Sequence, residues 1–126
     1  MVAAVTGKKI LAVDDEEIVL KMYKEYFQFH GLELKTSASD FDARRILGEE
    51  SFDIVILDMK LDMASGKDLL IDIRKTHPDT KCIFVTAYAT DDVVTELSRL
   101  GVAEVIRKPC TIRTIYESVQ KLALSS

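Results

Sequence analysis

The stretch Phe52-Asp53-Ile54-Val55-Ile56-Leu57-Asp58 decides how the chain folds. From Phe52 to Leu57 every residue except Asp53 is apolar, and β-branched residues dominate. Such a run suits a strand buried on both faces, as in a parallel sheet. It stops abruptly at Asp58, a residue type that favours turns and caps over strand interiors. An apolar strand that ends on a carboxylate is the unit to look for elsewhere.

The unit recurs in both directions. Toward the N-terminus, Lys9–Val13 is a short apolar run that stops at Asp14-Asp15. Glu17–His30 then carries Ile18, Met22 and Tyr26 four apart, with Val19, Tyr23 and Phe27 beside them, and Gly31 follows. That is helical spacing with a stop signal. Glu33–Thr36 reads as a second strand. Ser39 and Asp42 have capping-box spacing, which predicts a helix to about Leu47 with Gly48 just after it. Toward the C-terminus, Lys67–Lys75 places Leu69, Leu70 and Ile73 on one helical face, and His77-Pro78 ends it. Cys82–Val85 is a fourth strand, ending at Thr86. Thr90 caps a helix whose apolar face is Val93, Val94, Leu97 and Leu100. Val102–Ile106 is a fifth strand, ending before Lys108-Pro109, and Ile112, Ile115, Val119 and Leu122 mark the last helix.

This (βα)₅ alternation predicts an α/β fold, a doubly wound parallel sheet with helices on both faces. Sites in such sheets lie at the carboxyl ends of the strands. The polar residues there are Asp14, Asp15, Asp58, Thr86 and Lys108. Taken singly, each is most simply a cap, a turn former or a solvated side chain. Their convergence on one edge is what points to chemistry.

Composition limits the classes open to the chain. Its 126 residues, 48% apolar and 30% charged, fit one ordinary globular domain, with a core over about residues 8–122. The apolar runs are too short to cross a bilayer. Met1–Gly7 lacks the features of a signal peptide and reads as a frayed arm. The net charge of −4 without a basic stripe argues against direct nucleic-acid binding. Cys82 and Cys110 have no metal-ligand spacing and read as reduced thiols of a cytoplasmic protein.

Carboxylates gathered together repel one another unless a cation joins them. Hard oxygen ligands without a neighbouring His or thiolate favour Mg²⁺, with Mn²⁺ as the alternative. Three acids against a divalent ion and the Lys108 ammonium reach neutrality, which suits an incoming phosphoryl group. A carboxylate can be the nucleophile, Lys a point charge, and Thr a hydrogen-bond donor.

The motifs ILAVDDE, DIVILDM, Gly66, FVTAY and VIRKP, in this order and spacing, resemble the receiver domain of response regulators over about Lys8 to Leu122. The resemblance implies the flavodoxin-like strand order 2-1-3-4-5. It implies that Asp58 accepts a phosphoryl group, with Thr86 and Lys108 holding it. Asp15 would contact Mg²⁺ directly, Asp14 mostly through water, and Asp58 and the Lys60 backbone carbonyl would complete the ligands. The implied donor is a histidine kinase or a histidine phosphotransfer protein. The Lys108–Pro109 bond is expected to be cis, as is typical of the family. Such a domain catalyses only its own phosphorylation and dephosphorylation.

Three positions depart from the family pattern. Asp62 stands where a Pro is usual, Val105 where an aromatic ring is usual, and Cys110 where Phe is common. Without a ring at Val105, the phosphorylation signal is expected to run through the loop around Ala87–Thr90 and the helix after it, with Tyr88 the large side chain to move. Tyr88 and Lys60 are also expected to border the path of the hydrolytic water. Competing readings are weaker. A haloacid-dehalogenase-type enzyme needs a second acid where Lys60 stands. A mononucleotide binder would be repelled by Asp14 to Glu17. A degenerate receiver that only binds protein remains the alternative, against which the intact acid cluster argues. No effector domain follows Ser126, so the chain reads as a stand-alone regulator or as a receiver from a longer protein.

Overall fold

The computed structural model describes residues 7–58 and 63–124, with side chains for 7–58 and 65–124. Strands β1 (Ile10–Asp14), β2 (Leu34–Ser37), β3 (Ile54–Asp58), β4 (Lys81–Thr86) and β5 (Glu104–Arg107) alternate with helices. These are α1 (Glu17–Phe29), α2 (Asp40–Glu49), α3 (Met63–Thr76), α4 (Asp91–Arg99) and α5 (Ile112–Leu124). The strands form one parallel sheet in the order β2-β1-β3-β4-β5, the flavodoxin-like order that the resemblance implies.

Period-two alternation along each buried strand divides the core between two faces. Ile10, Ala12, Ile54, Ile56, Ile83 and Val85 pack against α1 and α5. Leu11, Val13, Val55, Leu57, Cys82 and Phe84 pack against α2, α3 and α4. Full burial of a side chain such as Leu70 or Ile73 is worth about 1.5–3 kcal/mol.

Two helices end by the same device. Beyond α1, Gly31 has φ 79°, and beyond α4, Gly101 has φ 94°. The Leu32 amide donates to Phe27 O and the Val102 amide to Leu97 O, closing a Schellman turn at each end. At Gly101 a Cβ would also lie 2.9 Å from Arg74 Nε. The predicted caps form at α2, where the Asp42 amide donates to Ser39 Oγ (3.0 Å), and at α4, where the Val93 amide donates to Thr90 Oγ1 (3.3 Å).

Two local expectations are corrected. Gly48 does not stop α2, which continues to Glu49, because the packing of Ile46 and Leu47 carries the last turn over it. On α1 the buried face is Leu20, Tyr23 and Phe27, whereas Ile18 and Met22 are 70% and 52% exposed. Apolar residues occur nearly all round this helix, so periodicity alone leaves its rotation open.

Candidate functional site

The parallel register carries the strand-end acids to one level. Asp14 of β1 lies directly opposite Asp58 of β3, and Asp58 lies opposite Val85, one residue before Thr86 on β4. Alternation continues through Ala12 to Asp14 and through Ile56 to Asp58, so both carboxylates face the α1/α5 side. All three of Asp14, Asp58 and Thr86 are buried. Asp15, one residue beyond the strand, is exposed at the rim.

Lys108 reaches the acids from the β5–α5 turn. Its amide donates to Thr86 O (3.0 Å), and the following Pro109 is joined by the expected cis bond. Its ammonium makes an ion pair with Asp58 Oδ1, which accepts no directed hydrogen bond. Asp58 Oδ2 accepts a hydrogen bond from the Tyr23 hydroxyl at 3.1 Å. Asp14 Oδ1 accepts from the Glu16 amide at 2.7 Å, while Asp14 Oδ2 is buried with no hydrogen-bond partner. Thr86 Oγ1 accepts from the Tyr88 amide at 3.0 Å, which fixes the start of the β4–α4 loop.

Electrostatics follow from burial and crowding. Desolvation pushes the Asp14 carboxyl up to about 7; the Glu16 amide opposes this, and the adjacent Asp58 adds to it. Burial, and then Asp58, raise the Tyr23 phenol well above the ordinary tyrosine range, so it stays a donor. The Cys110 thiol is also raised, first by burial and then by Asp58.

A cleft of about 430 Å³ opens onto Asp58 between α1 and the β5–α5 turn, lined by Met22, Tyr23, Ala87, Lys108, Cys110 and Ile112. Among the described residues, no three His, Cys, Asp or Glu side chains are grouped closely enough to form a metal cage. Mg²⁺, however, usually takes only one or two carboxylates and keeps its waters. The orphaned Asp14 Oδ2 beside Asp58 suits that donor set.

The fold thus brings Asp14, Asp58, Thr86 and Lys108 to one edge, with Asp15 at its rim. Tyr88 is 58% exposed, and Val105 is half-buried opposite Phe84. Lys60 and Asp62 lie outside the described residues. Tyr23 is the site residue that periodicity hid. It reads as one more apolar position on α1, and its only signal is a polar tip on the face that Asp58 also shares. With its ring 1% exposed, the hydroxyl would be a buried donor costing about 1–3 kcal/mol without the carboxylate.

An open parallel (βα)₅ sheet with an acid pair and a lysine at its carboxyl edge defines the class. The family model of the response regulator receiver domain matches residues 10–120. The chain belongs to that family, part of two-component signalling. It is 32% identical over 98 residues to the luminescence regulatory protein LuxO of Vibrio campbellii, covering 78% of this chain and 22% of that protein. It is 30% identical over 112 residues to the response regulator protein PilR of Pseudomonas aeruginosa, covering 89% of this chain and 25% of that protein. The chain therefore spans about a quarter of the length of these relatives. Among solved structures, a CheY-like receiver domain protein from Methanospirillum hungatei superposes with a TM-score of 0.86 at 29% identity, covering 94% of each chain. The response regulator TrrA from Thermotoga maritima, in complex with Mg²⁺ and BeF, superposes with a TM-score of 0.78 at 33% identity, covering 91% of this chain and 98% of that one. No helix among the described residues is long and apolar enough to cross a membrane.

Proposed function

We propose that this domain accepts a phosphoryl group on Asp58 from the phosphohistidine of a histidine kinase or histidine phosphotransfer protein, in a Mg²⁺-dependent reaction. The observation that carries the reading is Asp58 itself, a buried carboxylate held between an ammonium and a second buried acid at the end of a central strand. An oxygen of Asp58 attacks phosphorus as the donor's P–N bond breaks, and the electron pair leaves with the imidazole. Lys108 moves from Asp58 Oδ1 to the arriving phosphoryl oxygens, and the Thr86 hydroxyl donates to one of them. Asp15, Asp14 and Asp58 would hold Mg²⁺, together with the Lys60 carbonyl that the family resemblance implies, and the bound ion would neutralise the crowded acids and the phosphoryl oxygens. The domain acts as a phosphoacceptor, catalysing no reaction but its own phosphorylation and dephosphorylation. A single unit spanning the chain carries the switch, which controls an output domain or a separate partner. A donor charged from ATP puts the reaction in the cytoplasm.

Incubation with Mg²⁺ and acetyl phosphate should add one phosphoryl group by intact mass, and Asp58→Asn should abolish it. Equal labelling of the variant would reject Asp58. A wild-type protein that neither acetyl phosphate nor phosphoramidate labels would favour a module that only binds protein.

A further inference from the structure

We infer that the Tyr23 hydroxyl is a catalytic group of this site that opposes the phosphorylated state of Asp58. The inference rests on Asp58 being the acceptor, as proposed above. Tyr23 touches a reacting atom: its hydroxyl donates to Asp58 Oδ2 at 3.1 Å. The ring is buried, tilted against Phe27 with centroids 6.4 Å apart, so it is held where it stands. Tyr23 and Asp58 also line the same cleft.

The direction of the effect follows from charge. A carboxylate accepts hydrogen bonds far more strongly than a neutral carbonyl or ester oxygen. When one Asp58 oxygen bonds to phosphorus, as the donor's bond to phosphorus breaks and its electron pair departs, both carboxylate oxygens lose their full negative charge. The bond from Tyr23 therefore stabilises the unmodified carboxylate more than the acyl phosphate. In the return reaction a water oxygen bonds to phosphorus, the P–O bond to Asp58 breaks, and the electron pair returns to the carboxylate. The water's proton leaves with the phosphate. Tyr23 stabilises the carboxylate that forms there as leaving group. It should slow phosphorylation and speed phosphoryl loss.

Tyr23→Phe deletes the hydroxyl and keeps the ring. With acetyl phosphate at saturating Mg²⁺, phosphorylation should quicken and hydrolysis should slow, each about threefold, moving their ratio about tenfold. Loosened packing would not drive the two rates in opposite directions. 3-Fluorotyrosine installed at position 23, a stronger donor, should move both rates the other way, and it keeps the test alive if the Phe variant folds poorly by circular dichroism. Rates unchanged, or shifted in the same direction, in a protein labelled at Asp58 would overturn this role for Tyr23 alone. Labelling that survives Asp58→Asn would overturn the acceptor assignment on which it rests.

Discussion

Replacing Asp14 with Asn should make the metal-free protein more stable above neutral pH and leave it nearly unchanged near pH 4. Folding raises the Asp14 carboxyl from an ordinary 3.8 to about 7, chiefly by burial, with Asp58 adding to it. Because the folded value lies above the unfolded one, the native state holds the extra proton through that window. Stability from this group is therefore fully present below about pH 4, falls as pH rises toward 7, and is lowest above it. At about 1.4 kcal/mol per pH unit, the interval corresponds to a cost of about 4 kcal/mol for ionised Asp14. Relaxation around the ionised group, at an effective dielectric of about 20, reduces this to about 2 kcal/mol. For a domain of this size that is a rise in Tm of about 8 °C for Asp14→Asn at pH 8. The assay is thermal unfolding in EDTA across pH 4–8, followed by circular dichroism. Adding Mg²⁺ at pH 8 should stabilise the wild type, by about 2.7 kcal/mol at a hundredfold excess over Kd, and the variant by less. A variant no more stable than wild type at pH 8, or an equal response of both to Mg²⁺, would refute the reasoning.

The remaining predictions concern signalling and packing. Val105 offers no ring to rotate, whereas a recess of about 270 Å³ borders Ala87, Ala89, Thr90 and Lys108. Beryllofluoride with Mg²⁺ should therefore shift NMR resonances through Ala87–Thr90 and α4, including Tyr88, and shifts confined to the acid edge would defeat this route. Gly101→Ala should destabilise the fold by more than 1 kcal/mol, roughly the cost of a non-glycine residue at φ 94°, because its Cβ would also press on Arg74 Nε. Urea unfolding measures it, and a loss below about 0.5 kcal/mol would show that the turn relaxes freely.

Much of the architecture is legible from single strands. A parallel strand buried on both faces must be apolar along its whole length, so the run Ile54–Leu57 declares itself, and the residue that ends it marks where the chain leaves the sheet. The same logic locates Asp14, Asp58, Thr86 and Lys108, because crossover connections leave the carboxyl ends of all the strands on one edge. The caps at Ser39 and Thr90 are equally local, since each satisfies an amide three residues away.

Helix boundaries and helix rotation are not local. Gly48 carries an intrinsic penalty inside a helix, yet the burial of Ile46 and Leu47 outweighs it. The α1 sequence has apolar residues at 18, 19, 20, 22, 23, 26, 27 and 29, and the sheet together with α5 selects which of them turn inward. That choice leaves Ile18 and Met22 outside and sends the Tyr23 hydroxyl to Asp58.

The chain's own pattern thus determined the alternation, the parallel sheet and the residues at its edge, because strand burial and helix capping are written in neighbouring residues. Only the tertiary structure decided that Asp14 is buried while Asp15 stays at the rim, and that Tyr23 joins the acceptor. Those outcomes depend on the β1–β3 register, which pairs segments far apart in the sequence, and on the rotation of α1, which the sheet and α5 set together.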